Sequence, residues 1–499
     1  MITFTVNNIL THVDNPHPIA HAVGKYLNIK SDSFYKGIDY AEYRATGKSV
    51  LRTKYKADYI NVYNQMKQTF PTGRLGYLVD WCRDNGIPCQ VIDNRIMPEK
   101  HLDIIYTGPP SDGSNGKPSR PYQLNAPSIL RERGGRGILW HATGSGKTCT
   151  GARIIQDFGV TTLYMVPSIE LLDQTAKALR AMLSGILIGT IGDGTWDPQS
   201  ITVATSATLW SRFHRQECKD FLNSIELLIT DECHHVTRKG AGTKTKNKEG
   251  KGYKVNSWYI LAINCPAYFR VGLTGTPGKD IEQKRSLLEC VIGRVVDRVS
   301  VRELIDVGIL SEVEIHMHTI THSVTRSDYP SARREGVLLN EEFNRYLVQI
   351  AIAELKAGES VLMLTGSKAH QGPLLVKLFQ EYGYEVPFVS GDDTRKNRIR
   401  FREDFRNGKI KALVGTVYRE GVDFPYLTVG ILCDGGQDEK ATCQFLGRIL
   451  RTAEGKTKAR LHDAMHKDKK FLQRHSNARL TEYVEQELEN IVTHKGITV

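Results

Sequence analysis

The sequence has no CxxC pair, and its nine cysteines (positions 82, 89, 149, 218, 233, 265, 290, 433 and 443) are odd in number and scattered. Isolated thiols in a long chain exclude a disulfide frame and a zinc site of paired ligands, and read as reduced core residues. No apolar run approaches the ~18–20 residues that cross a bilayer. The opening MITFTVNNIL lacks the basic start, apolar core and small-residue cleavage site of a secretion signal, so a cytoplasmic location is expected. Glycine and proline, 44 and 18 of 499 residues, are too few for a collagenous or low-complexity chain. Positive charge is in excess: 67 Lys and Arg against 55 Asp and Glu leave a formal +12. That balance suits a polyanion, either nucleic acid or an anionic membrane face, and is also compatible with a basic protein that has no such partner.

At roughly 100–200 residues per domain, the length implies about three domains. Residues 1–106 are mixed in composition and rich in tyrosine. Residues 107–120 contain TGPPSDGSNGKPSR, which cannot build a core and reads as a linker. Short apolar runs then alternate with longer amphipathic ones. The runs are GILW (137–140), TLYMV (162–166), ITVAT (201–205), LLIT (227–230) and RVGLT (270–274). Ile169, Leu172, Ala176, Leu179 and Leu183 fall at helical spacing between two of them. The style resumes in VLMLT (361–365), VPFVS (386–390), ALVGT (412–416) and TVGILC (428–433). Buried strands alternating with helices predict two tandem α/β domains, 121–305 and 306–499, each a parallel sheet covered on both faces. A small N-terminal α/β domain precedes them.

GILWHATGSGKTCTGARII sets a glycine-rich turn between a strand and a helix. Gly144, Ser145 and Gly146 let backbone N–H groups close around phosphate oxygens. Lys147 can reach the β- and γ-phosphates, and the Thr148 hydroxyl suits Mg²⁺. His141 stands where such loops usually begin with glycine. Upstream, the Gln123 amide can pair with the edge of adenine, with Tyr122 as its apolar neighbour, or it can simply form the first turn of a helix.

LLITDECHH ends a strand on Asp231 and Glu232, at the edge where parallel sheets bind ligands. Asp231 would hold Mg²⁺ through water, and Glu232 would orient and deprotonate the water attacking the γ-phosphate. His234 and His235 have no matching Cys/His pair for a metal, and a polar relay to the next motif is expected. That motif is VGLTGTP, where Thr274 and Thr276 can register the state of the acidic pair. In ATCQFLGRILRT, Arg448 and Arg451 are three apart and on a helix would share a face, a guanidinium pair suited to a transferring phosphoryl group. ALVGTVYREGVDFP supplies Thr416, a turn at Gly421, and Asp423 for the ribose or the arginine network. Ser168 and Thr205 stand at strand ends, where hydroxyls and N–H groups can grip phosphates without reading bases.

In this order, RPYQ, ATGSGKT, PSIELLDQ, DECHH, TGTP, TVYREGVDFP and QFLGRILR resemble the motifs of superfamily 2 helicases of the DExH type, from about Arg120 to Arg451. Within that group the chain looks most like the phage UvsW-type helicases of branched DNA. The resemblance implies two RecA-like domains that use ATP and Mg²⁺, with Thr143 joining the nucleotide loop and Gln444 joining the coupling residues. It also implies a nucleic-acid strand touching Pro167 and Gly391 besides Ser168, Thr205 and Thr416, and a DNA-binding role for the N-terminal domain. The expected partner is DNA, branched or forked. An RNA helicase and a nucleotide-gated clamp without unwinding are the alternatives. Between DECHH and TGTP, residues 238–254 hold seven Lys and Arg against Glu249 alone. Lys239, Lys244, Lys246 and Lys248 there can touch the DNA backbone, or form a solvated excursion.

Overall fold

The computed structural model describes residues 1–14, 16–19, 22, 26–38, 51–108, 119–237, 257–275, 282–322, 329–416, 426–436, 445–447, 449–453, 456, 458–468, 470–488 and 490–499, with backbone alone at 17, 29–38, 51–61, 282–286 and 395. They group into two compact units, Met1–Trp140 with Lys147–Arg298, and His141–Gly146 with Val299–Val499. The division falls earlier than the expected 305/306.

The N-terminal module contains β1 (Ile2–Val6), β2 (Leu10–Asp14), β3 (Asn28–Ile38), β4 (Leu51–Asn61), β5 (Thr69–Pro71), α1 (Leu75–Asp84) and β6 (Cys89–Asp93). A four-stranded sheet runs β5-β2-β1-β6. Ile2, Phe4 and Val6 are buried and alternate with half-buried threonines, so one face of β1 meets the core of Val13, Phe70, Leu78 and Cys82. β3 and β4 form a separate antiparallel ribbon in register from Asn28↔Asn61 to Ile38↔Leu51, and the aromatic and basic stretch after Arg52 begins on it.

This module is tied to the first α/β domain more closely than its composition suggests. Arg74 and Glu289, both buried, pair at 2.7 Å, and the Tyr77 hydroxyl donates to the same carboxylate at 2.8 Å. Gly73 is required beside them, because a Cβ there would lie 2.0 Å from the Glu289 carbonyl oxygen. The boundary expected at residue 106 is also displaced. β7 (Ile105–Tyr106) pairs with β10 (Leu183–Ser184), and the N–H groups of His101 and Leu102 both donate to the Gly159 carbonyl. A two-residue strand leaves no mark in composition, whereas the Gly/Pro/Ser stretch does.

The first α/β domain follows the expected alternation. Its elements include α2 (Pro121–Glu132), β8 (Arg136–His141), α3 (Lys147–Phe158), β9 (Thr162–Val166), α4 (Ile169–Met182), β11 (Ile188–Gly192), β12 (Thr195–Asp197), β13 (Ile201–Thr205), α5 (Ser206–Arg212), β14 (Leu227–Asp231), β15 (Phe269–Thr274), α6 (Glu282–Val291) and β16 (Val295–Val299). The sheet runs β12-β11-β13-β9-β14-β15-β8-β16, and every step from β11 to β8 is parallel. Both faces are covered. Along β9, Leu163 and Met165 enter one core layer while Tyr164 and Val166 enter the other. Leu172, Ala176 and Leu179 bury one face of α4, but Ile169 is exposed at its start and Leu183 has passed into β10.

The second unit contains β17 (Glu312–Thr321), β18 (Val361–Leu364), α7 (Gln371–Glu381), β19 (Phe388–Val389), α8 (Arg395–Arg406), β20 (Ala412–Gly415), β21 (Val429–Leu432), β22 (Lys458–Lys467), α9 (Lys470–Glu485) and β23 (Ile491–His494). Its sheet order is β19-β20-β18-β21-β22-β17-β23, parallel throughout. Of the expected strand VPFVS, only Phe388–Val389 pairs.

β17, β22 and β23, with His322 just past the end of β17, carry a stack of histidines. His318 Nε2 lies 2.9 Å from His462 Nδ1, His316 Nδ1 lies 2.8 Å from His494 Nε2, and His322 Nε2 lies 2.8 Å from His466 Nδ1. Each contact needs one N–H and one bare nitrogen, so protonating both rings sets two N–H groups against each other. Tyr346 and Glu354 complete the network, with Arg460 pairing Glu354 and Glu314 beside His316. Burial, then His462, His494 and His316, depress the His318 imidazole to about 3, while burial and His322 hold His466 well below its usual range. A histidine depressed in the folded state stabilises the fold above its unfolded pKa near 6.5, and that contribution is lost as pH falls toward the folded value. Melting of the second unit is therefore expected to weaken between pH 6.5 and 4.5, by roughly 1 kcal/mol per pH unit for such a histidine. Calorimetry of the full chain reads this, and His318→Gln should flatten the slope. An unchanged melting temperature across that window would contradict it.

Candidate active site

The carboxyl ends of the parallel strands place the expected motifs on one edge of the first domain. β8 leads into residues 142–146, and α3 begins at Lys147. Gly144 and Gly146 have φ of 92° and 81°, a region that side chains strongly disfavour, which accounts for the glycines of this turn. Within α3, Gly151 lies against Tyr164, where a Cβ would come within 2.8 Å of the ring.

Asp231 ends β14, and the chain turns sharply at Glu232, whose φ is 45°. A non-glycine residue in that region is a strained position of the kind that clusters at functional sites. The Glu232 N–H donates to Asp231 Oδ1 at 2.9 Å, and the Tyr164 hydroxyl lies 3.3 Å from Asp231 Oδ2. Burial, then the neighbouring Glu232, raise the Asp231 carboxyl to about 6. Burial pushes Glu232 the same way, but Lys147 and His234 outweigh it and hold that carboxyl well below the usual range. Lys147 Nζ stands 3.6 Å from Glu232 Oε1. His234 Nδ1 lies 3.2 Å from Glu232 Oε2 and 3.1 Å from Thr274 Oγ1, so one ring joins the acidic pair to the next strand. His235 stacks on His234 and on Trp258.

The structure thus brings together Lys147, Asp231, Glu232, His234 and Thr274, with Thr148 in the first turn of α3. The turn residues Thr143, Gly144, Ser145 and Gly146 lie between β8 and that helix. A divalent cation with a nucleotide phosphate tail fits this donor set: a cationic lysine, a helix-borne hydroxyl, a glycine turn, and a carboxylate whose charge is costly without a cation beside it. Sequence reasoning missed Tyr164, whose hydroxyl was hidden inside an apolar run. It also missed Cys233, buried against Gly272, and Trp140, whose indole N–H donates to the Gly275 carbonyl at 2.9 Å.

Other expected residues sit differently. Gln123 is buried in the first turn of α2, where its Oε1 accepts from the Arg120 N–H at 2.9 Å in a capping box, so the helical alternative for this residue is present in the fold. The Tyr122 hydroxyl accepts from Arg120 at 3.0 Å. Ser168 caps α4 and Thr205 caps α5, each hydroxyl accepting from a backbone N–H at 3.3 Å, with Pro167 just ahead of Ser168. The hydroxyls expected to face phosphates are engaged within their own helices. In the second unit Arg451 departs from the helical expectation: it lies in a bridge opposite Leu310, past the last helical residue, because the chain turns at Leu450. Gly391 is exposed, and Thr416 donates its N–H to the Val389 carbonyl. Thr276, Gly421, Asp423, Gln444, Arg448, Lys239, Lys244, Lys246 and Lys248 lie outside the described residues.

A parallel α/β domain with a glycine turn, a helix-borne lysine and a strand-end carboxylate pair defines a RecA-like nucleotide hydrolase. The family model of the res subunit of type III restriction enzymes matches residues 117–279, and that of the helicase conserved C-terminal domain matches residues 342–453. The chain belongs to the superfamily 2 helicases, enzymes driven by ATP. It is 28% identical to the DNA 3'-5' translocase XPB2 of Sulfurisphaera tokodaii over 66% of this chain and 78% of that protein. It is 22% identical to the ATP-dependent DNA helicase uvsW of phage T4 over 80% and 79% of the two chains. It spans about half of a third relative, the putative DNA 3'-5' helicase Rad25 of Halobacterium salinarum, at 26% identity over 66% of this chain and 52% of that one. A solved structure of Saccharomyces cerevisiae Dbp5 bound to RNA and ADP BeF3 shares the fold at a TM-score of 0.52 and 17% identity, covering 76% of this chain and 90% of that one. Among the described residues no helix is long and apolar enough to cross a membrane.

Proposed function

We propose that this chain is a DNA-stimulated ATPase that translocates on or unwinds branched DNA, such as forks and four-way junctions. The observation that carries the ATPase part is the contact set Lys147–Glu232–His234–Thr274. It joins the lysine of the phosphate turn to the acidic pair and then to the neighbouring strand. The DNA part is supported by the +12 charge and by the names of XPB2 and uvsW.

In this reading Lys147 would hold the β- and γ-phosphates of ATP, and Thr148 and Asp231 would hold Mg²⁺. The cation supplies charge neutralisation at the phosphates. Glu232 orients and deprotonates the attacking water from a carboxylate kept ionised by Lys147 and His234. His234 passes the state of that carboxylate to Thr274. Gln123 and Tyr122 remain the adenine-side candidates, and Arg451 the described candidate for the charge on the transferring group. Residues 1–106 are the proposed DNA-recognition region.

The test compares ATP turnover with a four-way DNA junction, single-stranded DNA and structured RNA. The junction is expected to stimulate most. Equal or greater stimulation by RNA would replace this reading with the RNA-helicase alternative. Stimulation without strand displacement or branch migration would leave a nucleotide-gated clamp.

A further inference from the structure

Resting on the DNA reading above, we propose that the patch around Trp210 is a stacking platform for unpaired nucleotide bases. Trp210 lies on α5 beside Leu209, which is fully buried, and is itself 43% exposed. Of the chain's five tryptophans it is the one whose ring stands in solvent. It does not stand alone. Phe213 stacks on it, with ring centroids 5.7 Å apart and planes 18° apart. A single exposed apolar side chain is ordinary on a protein surface. A stacked aromatic pair with a partly exposed ring, followed along the chain by cations, is a different object.

The cations are Arg212, Arg215 and Lys219, with the exposed His214 between them. The Arg212 guanidinium lies over the Trp196 ring at 4.9 Å from its centroid and not over Trp210. The two nearby carboxylates are engaged: Glu217 lies 4.0 Å from Arg212, and Asp220 accepts from Gln216 at 2.7 Å. Three cations against the two carboxylates Glu217 and Asp220 leave this stretch with one net positive charge beside a flat π surface. Phosphates answer the first and base faces the second, and only unstacked bases have a face to offer. Duplex DNA without unpaired nucleotides lacks that face. The platform's position agrees with this use. Thr205 ends β13 and caps the same helix, so Trp210 stands about 7 Å along α5 from the strand edge where parallel sheets bind ligands.

The experiment titrates the full-length protein with a fluorescein-labelled short oligothymidylate, reading anisotropy for binding and tryptophan emission for stacking. The wild type is expected to bind and lose tryptophan emission. Trp210→Phe should bind within about threefold and lose most of that quench, because the stacking ring is kept and the reporter is not. Trp210→Ala should weaken binding by ~5–150-fold, the equivalent of one stacked base. Blunt duplex binding and DNA-free ATPase should be unchanged, the latter confirming the fold. Full quenching in Trp210→Phe, or wild-type affinity in Trp210→Ala, overturns the platform while leaving the DNA reading standing. A change in sedimentation of Trp210→Ala without a change in oligonucleotide affinity overturns it in favour of a protein contact. Failure of the wild type to bind any DNA overturns the DNA reading itself.

Discussion

Glu232→Gln is expected to hold ATP at close to wild-type affinity and to hydrolyse it ~10²–10⁴-fold more slowly. The amide nearly matches the carboxylate in shape, so the strained backbone at φ 45° and the neighbouring Asp231, His234 and Thr274 can stay in place. What is lost is a basic oxygen. In the wild type Lys147 at 3.6 Å and His234 at 3.2 Å keep that oxygen ionised despite burial. An amide accepts no proton at neutral pH, so the water must react without a base. Equilibrium binding of a labelled nucleotide and steady-state phosphate release separate the two effects. Turnover within a factor of ten of wild type would move the base to another residue.

Arg74→Ala is expected to cost ~3–5 kcal/mol of stability in the first unit, the usual penalty for breaking a buried ion pair from one side. Glu289 would keep the Tyr77 hydroxyl but lose the Arg74 guanidinium, at a site with 2% of its side chain exposed. Replacing both partners at once, with Arg74→Met and Glu289→Met, should cost much less, since neither side leaves a bare charge. Urea unfolding followed by a probe in the N-terminal module gives both values. A loss below about 1 kcal/mol in Arg74→Ala would mean that water already reaches this pair.

The strands of the first domain were legible because burial on both faces makes them continuous apolar runs. TLYMV and ITVAT are paired over their full lengths. β17 and β22 were not legible, for the opposite reason. Val313, Ile315 and Met317 alternate with Glu314, His316 and His318, which reads as a solvated edge. The polar face is covered, but by other histidines and a tyrosine from distant parts of the chain. The site divides in the same way. Lys147, Asp231 and Glu232 stand at strand and helix ends that periodicity locates, so they could be placed from the sequence. Tyr164 could not, because its role depends on which neighbour β14 supplies across the sheet. Gln123 was readable only as two alternatives, since an amide that can pair with a base can equally close a helix turn.

α6 has two working sides. Glu289 is gripped by Arg74 and Tyr77, while Leu288 and Val291 share a buried cluster with Cys233, the residue following Glu232. Shortening the chain to start after residue 106 would therefore take Arg74 and Tyr77 from a buried carboxylate and loosen the floor beneath the reacting acid in one stroke. A truncated protein that hydrolyses slowly would be reporting this lost underpinning, whether or not the missing portion ever met DNA.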